Sequence, residues 1–454
     1  MASNPSFSSV LLTALLATAA LFASSACSTY LQAQEPSMSK LHNNKGFRVK
    51  LEYVKYSGKN LSRLERVENW IKPRRHSSLQ KINGNLNKIF SSIRPGDDMG
   101  DLFMELSIGT PPKTHSMIMD TGSDLIWIGC DHRITSVHKK KPNVFYTKDS
   151  LSYSELPCSS GLCKQLPDTI CGVDYCEYNY SYGGGDFSTR GILARENLTF
   201  GDVTVPDIAF GCGADNAEDW TEPGSGIVGL GRGVLSLVLQ LKETKFGYCL
   251  PSMADTKSSG ALLIGELESL NIEKLSGVKT TPLIRNQLEP SHYYLSLEGI
   301  SIGKTKLPIK KSAFELNTED GSGGLYIDSG TPITRLEKSA YDLVKEELIR
   351  QINLPVYESE ESDLGFDLCF KLQQGIGWDE VEVPEFRFHF DGADLDLGRE
   401  NYMIEYEEGQ VCLAMLASHL MASIFGSVQQ QNLLVIHNLG KETLSFVPTQ
   451  CDQL

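Results

Sequence analysis

The chain has 454 residues, 41% of them hydrophobic, which is long enough and apolar enough for two lobes with substantial cores. It carries 42 Lys and Arg against 57 Asp and Glu, a formal net charge of −15. This composition excludes a disordered chain, and the acidity argues against nucleic acid as a ligand.

The first element is an apolar run at residues 11–26, LLTALLATAALFASSA, closed by small residues. The pattern is typical of a secretory signal and its cleavage site, so we expect residues 1–26 to be a signal peptide. The first ten residues lack Lys and Arg, which departs from the usual signal. A buried or anchoring helix is the alternative, but the run is shorter than the ~20 residues that a membrane span needs. We therefore expect a secreted chain without a stable membrane span.

A basic segment follows at residues 27–96, with 14 Lys and Arg, 4 Glu and a net charge of +10. Residues 97–454 carry a net charge of −25. A solvated face, a nucleic-acid patch or a membrane patch are the alternatives for such a run. Beside a strongly acidic body, a propeptide held by charge complementarity is the better interpretation. Acid would protonate the carboxylates of the body and weaken that hold.

Two similar turns each place an aspartate after an apolar strand. They are IMDTGSDLIW at 118–127 and LYIDSGTPITRL at 325–336. One such turn is unremarkable because Asp and Gly are ordinary turn residues, but a second copy is informative. Asp120 and Asp328 are the candidate catalytic residues. The supporting turn residues are Thr121, Gly122, Ser123, Ser329, Gly330 and Thr331.

Short alternating stretches dominate the body, as in LFMELSIG (102–109), YYLSLEGISIGKTKLPI (293–309) and TLSFVP (443–448). They predict strands and hairpins, and 337–352 gives the clearest helical pattern. GIVGLG (226–231) follows Asp120 at about the interval at which SIFGS (423–427) follows Asp328. We therefore predict an all-β chain with two related lobes, residues 97–278 and 279–454. Each Asp turn would lie beside the apolar-apolar-Gly strand of its own lobe, and both carboxylates would meet between the lobes.

Two carboxyl groups about 3 Å apart cannot both ionise, so they share a proton and supply a general acid and a general base in one place. A water between them could then attack an amide carbonyl. The hydroxyls of Ser123 and Thr331 are expected to bond the outer carboxylate oxygens.

Eleven cysteines are present, and ten of them lie at or after position 130. An even number of cysteines in a secreted chain predicts disulfides. The pairing is open. A zinc knuckle is the alternative for Cys158, Cys163, Cys171 and Cys176. The remaining candidates are Cys130, Cys212, Cys249, Cys369, Cys412 and Cys451. Sequons make Asn60, Asn179 and Asn197 candidate glycosylation sites.

These motifs together resemble the pepsin-like aspartic proteases, and more closely their plant nepenthesin-type branch. DTGSDLIW, FGCG (210–213), GIVGLGRGVLSLVLQL, IDSGT, FDLCF (366–370) and the segment 423–451 carry the resemblance, which covers residues 100–454. It implies a bilobal acid protease with no cofactor and no metal. It also implies a monomer that cleaves polypeptides, is inhibited by its own propeptide, and is secreted to the apoplast or reaches the vacuole.

The resemblance further implies a flap at YNYSYGGGDFSTRG (178–191). Tyr182 would cover the substrate with Trp127 as its hydrogen-bond partner, and Gly183 and Gly185 would form the tip. Here Gly184 replaces the Asp that the family commonly has. Pro332 follows Thr331 where Thr is more usual, and the cysteine pair common after Cys130 is absent.

Other interpretations remain. GISIG (299–303) matches G-x-S-x-G around Ser301, but its flanks alternate like a hairpin instead of turning into a helix. His132, His138 and residues 139–141 could suggest a metal or polyanion site, although a solvated loop fits better. A pepsin-like binding or inhibitor protein without catalysis is the alternative to an enzyme. Both Asp turns are intact, which favours activity.

Overall fold

The structure is a computed structural model of the full chain. It describes residues 47–52, 88–90, 102–131, 143–166, 168–172, 174–182, 187–214, 226–253, 259–265, 267, 275–357, 366–407 and 409–451. The predicted signal peptide, most of the basic segment, Asn60, His132, His138 and the glycines at 183–185 lie outside these residues.

The first half of the described chain contains fourteen strands and one short helix, α1 (Leu237–Gln240). The strands are β1 (Phe47–Glu52), β2 (Lys88–Phe90), β3 (Phe103–Ile108), β4 (Lys113–Asp120), β5 (Trp127–Asp131), β6 (Phe145–Tyr146), β7 (Ser154–Glu155), β8 (Thr169–Cys171), β9 (Cys176–Tyr182), β10 (Phe187–Phe200), β11 (Val203–Gly213), β12 (Gly226–Gly229), β13 (Lys245–Cys249) and β14 (Ser259–Ile264).

The second half is built in the same way, with one long helix, α2 (Lys338–Gln351). Its strands are β15 (Lys279–Ile284), β16 (Tyr293–Leu295), β17 (Leu297–Ile302), β18 (Thr305–Lys306), β19 (Leu325–Ile327), β20 (Thr334–Leu336), β21 (Val356–Tyr357), β22 (Cys369–Lys371), β23 (Phe386–Phe390), β24 (Ala393–Leu397), β25 (Met403–Glu407), β26 (Gln410–Leu413), β27 (Met415–Ala417), β28 (Ser423–Phe425), β29 (Leu433–Asn438) and β30 (Thr443–Pro448). The described 3-10 turns are Thr147–Asp149, Gly161–Lys164, Lys311–Ala313, Trp378–Glu380, Arg399–Asn401 and Ser427–Gln430. The all-β prediction is confirmed.

The first-half sheet closes on itself. Its strand order is β11-β5-β12-β4-β3-β10-β9-β8, and β11 also pairs with β10. The ring from β11 to β10 is therefore a closed barrel, which leaves no edge in that ring. Residues alternate along it: in β4 the burial pattern is buried at every second position up to the fully buried end at Asp120.

A second sheet joins the two halves. Its order is β2-β1-β14-β13-β29-β30-β15-β16-β19-β28-β20-β27, so strands from both halves lie side by side. Two four-stranded sheets, β18-β17-β23-β24 and β21-β22-β26-β25, complete the second half. Buried aromatic side chains pack the β23 sheet against the shared sheet, where Phe388 and Phe390 meet the ring of Phe425 in β28 edge-on.

Helix α2 is the element that the sequence pattern at 337–352 predicted. Glu337 caps it, because its carboxylate accepts from the backbone N–H of Ser339 at 2.9 Å. Ala340, Val344 and Leu348 are buried at the spacing of a single helix face. Within the described part of the chain, we find no helix that is both long and apolar enough to span a membrane.

All ten body cysteines are paired. The disulfides are Cys130–Cys212, Cys158–Cys171, Cys163–Cys176, Cys249–Cys451 and Cys369–Cys412. The zinc-knuckle alternative is therefore wrong, because its four thiols are oxidised in two interleaved bonds. Cys249–Cys451 closes the longest loop, with a sequence separation of 202, and fastens the end of the described chain to the shared sheet.

Candidate active site

The first aspartate turn begins where β4 ends. β4 lies parallel to β12, with Ile118 opposite Ile227 and Asp120 opposite Gly229. The N–H of Leu230 donates to the backbone oxygen of Asp120 at 2.7 Å. A Cβ at Gly229 would lie 2.3 Å from the backbone of Asp124, so only glycine permits this approach.

The second turn repeats the arrangement. β19 lies parallel to β28, with Ile327 opposite Phe425, and the N–H of Asp328 donates to the Phe425 oxygen at 3.1 Å. Each turn is therefore threaded beside the apolar-apolar-Gly strand of its own half, as the repeated motifs predicted. Pro332 lies in the irregular segment between Thr331 and β20.

The two turns are joined by reciprocal hydrogen bonds. The N–H of Thr121 donates to Ser329 Oγ at 3.1 Å, and the N–H of Ser329 donates to Thr121 Oγ1 at 2.9 Å. Ser329 Oγ also donates to the Met119 oxygen at 2.9 Å. These buried bonds fix the relative position of the turns.

The glycines of the two turns face the opposite carboxylates. A Cβ at Gly122 would lie 2.6 Å from Asp328 Oδ2, and one at Gly330 would lie 2.4 Å from Asp120 Oδ1. Any side chain at either position would collide with the partner carboxylate. The two carboxyl groups therefore meet because both turns carry glycine at this point.

Each carboxylate is held by its own turn. Gly122 N–H donates to Asp120 Oδ1 at 2.8 Å, and Ser123 Oγ donates to Asp120 Oδ2. Gly330 N–H and Thr331 Oγ1 donate to the two oxygens of Asp328, each at 2.7 Å. The hydroxyls of Ser123 and Thr331 thus occupy the positions that the sequence predicted.

Both carboxyl groups are almost fully buried, with 6% of Asp120 and 7% of Asp328 exposed. Burial and the neighbouring charge of Asp328 raise the pKa of Asp120 well above its ordinary value, although the bonds from Ser123 and Gly122 oppose the rise. A proton therefore remains on the pair at a higher pH than on an isolated aspartate.

A hairpin stands above the first turn. β9 and β10 pair antiparallel, with Tyr182 opposite Phe187, so the predicted flap segment does form a hairpin. Trp127 Nε1 donates to the Tyr182 hydroxyl at 2.7 Å, and Tyr182 is also hydrogen-bonded to Ser123. Because Ser123 donates to Asp120, the chain of bonds runs from Trp127 through Tyr182 and Ser123 to the carboxylate.

Some predicted residues lie away from this cluster. Of the candidate glycosylation sites, Asn179 lies in β9 and Asn197 in β10, and both are half-buried. Asn197 Nδ2 also donates to Thr110 Oγ1 at 3.1 Å. No group of three or more metal-ligating side chains occurs among the described residues.

The hairpin prediction around Ser301 is confirmed, because β17 turns back into β18. Ser301 Oγ lies 2.7 Å from His389 Nε2, and His389 Nδ1 lies 2.7 Å from Asp394 Oδ1. These are neighbours across three adjacent strands, β17, β23 and β24. Ser301 is paired with Lys306 in β18 and with Arg387 in β23, so it lies inside a sheet and lacks the sharp strand-to-helix turn of a nucleophile elbow.

Residues that were not predicted from the sequence support the second turn from behind. Gln430 Nε2 donates to the backbone oxygens of Asp328 at 3.1 Å and Phe425 at 2.8 Å, and its Oε1 accepts from Tyr248 Oη at 2.6 Å. Gln429, Gln430 and Gln431 are all buried. A run of three glutamines between apolar strands is the signal that could have revealed them, since buried amides need several partners.

Two family models match the chain. The Xylanase inhibitor N-terminal model matches residues 102–266, and the Xylanase inhibitor C-terminal model matches residues 292–448. Together they include both aspartate turns.

Curated relatives and a solved structure agree with this match. The chain is 44% identical over 409 residues to aspartic proteinase nepenthesin-1 from Nepenthes gracilis, covering 89% of this chain and 90% of the relative. It is 42% identical over 409 residues to nepenthesin-2 from the same species, with the same coverage of both chains. The crystal structure of edgp superposes with a TM-score of 0.62 at 20% identity, over 79% of this chain and 94% of that one, which supports the fold. The chain therefore belongs to the pepsin-like aspartic proteases, in their plant nepenthesin-type branch, and is classed with them as an aspartic-type endopeptidase.

Proposed function

We propose that this chain is made as a secreted zymogen and that it hydrolyses peptide bonds in acid with a water activated by Asp120 and Asp328. The contact of the two buried carboxyl groups across the two turns carries this proposal. Paired carboxyls that share one proton are the established pattern of aspartic proteases.

In the proposed reaction the ionised carboxyl takes a proton from the water, whose oxygen attacks the amide carbonyl carbon. The neutral carboxyl gives its proton to the carbonyl oxygen, and a tetrahedral diol forms. Return of a proton to the nitrogen then breaks the C–N bond and releases an amine and a carboxylic acid. Ser123 and Thr331 keep the two carboxyls oriented through their bonds to the outer oxygens.

The substrate is proposed to be an extended segment of a polypeptide, bound under the β9–β10 hairpin. Tyr182 would cover it, since its hydroxyl is fixed by Trp127 and Ser123 directly beside Asp120. The resemblance to the family favours large apolar side chains beside the bond that is cut.

The zymogen proposal is supported by a strand of the basic segment. β1 lies within residues 27–96 and pairs antiparallel with β14, from Phe47 opposite Ile264 to Glu52 opposite Ser259. The charges of +10 and −25 on the segment and the body favour this association at neutral pH. Residues 27–96 would therefore be an intramolecular inhibitor, released when acid neutralises the body, and secretion to the apoplast or vacuole would supply that acid.

Cleavage of denatured globin between pH 2 and 7 tests the function. The acid-treated chain should cleave, pepstatin should inhibit it, and Asp120→Ala and Asp328→Ala should each abolish cleavage. Asp202→Ala, at an exposed turn, is the matched control and should keep wild-type activity. A folded and processed wild-type chain that cleaves nothing at any pH would favour the binding-protein or inhibitor alternative.

A further inference from the structure

Asp124 is a half-buried carboxylate four residues after Asp120, at the point where the first turn leads towards β5. Its Oδ1 accepts the N–H of Gly233 at 2.7 Å, and its Oδ2 accepts the hydroxyl of Ser291 at 2.5 Å. One carboxylate therefore joins two segments that are far apart in sequence. Hydrogen bonds to an ionised group are about twice as strong as neutral ones.

The loop 229–233 is built around this carboxylate. A Cβ at Gly231 would lie 2.3 Å from Asp124 Oδ1, and one at Gly233 would lie 2.1 Å from Oδ2. The same loop holds the first turn, because Gly231 N–H donates to the Ser123 oxygen at 2.8 Å. Asp124 and the first catalytic turn are thus fixed by one loop.

Ser291 belongs to the second half of the chain and leads directly into β16. The backbone oxygen of Ser291 accepts the N–H of Arg232 at 3.1 Å, and the hydroxyl of Tyr293 donates to the Leu230 oxygen at 2.8 Å. Tyr293 is paired in the ladder with Ile327, the residue before Asp328. The Asp120 turn is therefore connected to the Asp328 turn by the Asp124–Ser291 hydrogen bond, the short segment from Ser291 into β16, and the pairing of β16 with β19.

We propose that Asp124 is a positioning residue, which holds the two catalytic turns in register through Ser291 and the loop 229–233. This inference rests on the proposed function of the Asp120–Asp328 pair. The exchange between Thr121 and Ser329 joins the turns at their tips, and the Asp124–Ser291 bond joins them from behind. The Asp124–Ser291 link would therefore prevent the two turns from rotating about the Thr121–Ser329 contact.

The consequence concerns turnover more than substrate binding. A misplacement of about 1 Å in a catalytic group can cost about a hundredfold in rate. The Asp124 carboxylate is bonded to Gly233 and Ser291, which lie outside the β9–β10 hairpin, so its removal should leave the substrate contacts of the hairpin in place.

The test measures kcat and KM for a peptide substrate in acid with five chains: wild type, Asp124→Ala, Asp124→Asn, Ser291→Ala and the Asp124→Ala/Ser291→Ala double variant. We expect Asp124→Ala to lower kcat by ten- to a hundredfold with KM changed less than about threefold. Ser291→Ala should lower kcat less, and the double variant should match Asp124→Ala because both remove one link. Asp124→Asn should retain most activity, since its amide oxygen can accept from Gly233 and its N–H can donate to Ser291.

Asp202→Ala is again the control, and pepstatin affinity by calorimetry gives a readout without turnover. Pepstatin should bind Asp124→Ala at least tenfold more weakly than wild type. A folded Asp124→Ala chain with the kcat and pepstatin affinity of wild type would overturn the proposal. A double variant whose loss of kcat equals the product of the losses in the two single variants would also overturn it. If Asp124→Ala does not fold, Ser291→Ala with unchanged kcat and pepstatin affinity would overturn it. A wild-type chain that neither cleaves nor binds pepstatin would instead count against the catalytic pair itself.

Discussion

At the scale of single residues, the candidate site brings two buried carboxyl groups together, and burial and the neighbouring charge raise the pKa of Asp120. Asp120 is 6% exposed and lies against Asp328, so the folded state binds a proton that the unfolded state releases at lower pH. A raised folded pKa stabilises the fold most below the unfolded pKa, and this stability is lost as the pH rises through the folded pKa.

Replacement of Asp120 by asparagine should therefore change how stability depends on pH. The amide resembles the protonated carboxyl and has no charge to lose. We expect wild type to lose more stability than Asp120→Asn between pH 3 and pH 7, measured as the urea midpoint of the processed chain. Parallel curves for the two chains would contradict the raised pKa of Asp120.

The Thr331 hydroxyl offers a second prediction at this scale. It donates to Asp328 Oδ2 at 2.7 Å, and a hydrogen bond to a charged group contributes about 1.5–3 kcal/mol. Thr331→Ala should lower kcat/KM by about ten- to a hundredfold, whereas Thr331→Ser keeps the hydroxyl and should lose less than threefold. Equal losses in the two variants would show that the methyl group matters, not the hydroxyl.

These residue contacts were only partly predictable from sequence. The repeated Asp turns identified Asp120, Asp328 and the two hydroxyls, because each carboxylate and its donor lie within four residues. Gln430 and Ser291 are 102 residues from Asp328 and 167 residues from Asp124, respectively, so only the fold brings them together. The pairing of the ten cysteines depended on the fold for the same reason.

At the scale of elements, the shared sheet carries an acid-sensitive group in β29. His437 is fully buried, stacked on Phe246 at 4.4 Å, and its ring nitrogens have no hydrogen-bond partner among the described residues. Burial and then the charge of Arg232 lower the pKa of His437 from its ordinary 6.5 to about 3. The ring therefore stays neutral in the folded chain, although the unfolded chain protonates it.

His437→Phe should make the fold less sensitive to acid. The lowered pKa means that stability is complete above about pH 6.5 and is lost as the pH falls towards about 3. Phenylalanine preserves the stacking and removes the titration, so its urea midpoint should fall less between pH 7 and pH 3 than that of wild type. His419→Phe, at an exposed loop, should follow wild type. An equal fall for all three chains would contradict the account of His437.

Strands and α2 were the elements that sequence predicted best, because alternation and helical spacing are local patterns. Their arrangement was harder to predict. The repeat indicated that β12 and β28 lie beside the Asp turns, yet nothing local indicates that β13 and β14 join β29 and β30 in one sheet. Long-range strand pairing leaves no periodic signal in the sequence.

At the scale of the whole molecule, the basic segment and the acidic body carry net charges of opposite sign. The proposed inhibition depends on attraction between opposite charges and on the pairing of β1 with β14. Acid should start processing of the precursor, and at mildly acidic pH added salt should speed it, because salt screens exposed charges beyond about 10 Å at 0.1 M.

Val49→Pro tests the contribution of the strand separately. Proline removes a backbone N–H from β1 and weakens the ladder with β14. Processing of this precursor should begin at a higher pH than processing of wild type, followed by gel electrophoresis. The proposed role of residues 27–96 would be contradicted if two precursors, Val49→Pro and wild type in high salt, both began processing at the same pH as wild type in low salt.

The most direct measurement of the central claim is kcat/KM against pH from 2 to 7 for the processed chain, beside Asp120→Asn and Asp328→Asn. A pair that shares one proton predicts a profile that declines when the proton is lost at higher pH, because the general acid disappears. Both asparagine variants should lose at least a thousandfold at every pH, since each lacks one half of the acid–base pair. A wild-type profile that stays flat to pH 7, or substantial activity in either variant, would contradict catalysis by a shared Asp120–Asp328 pair.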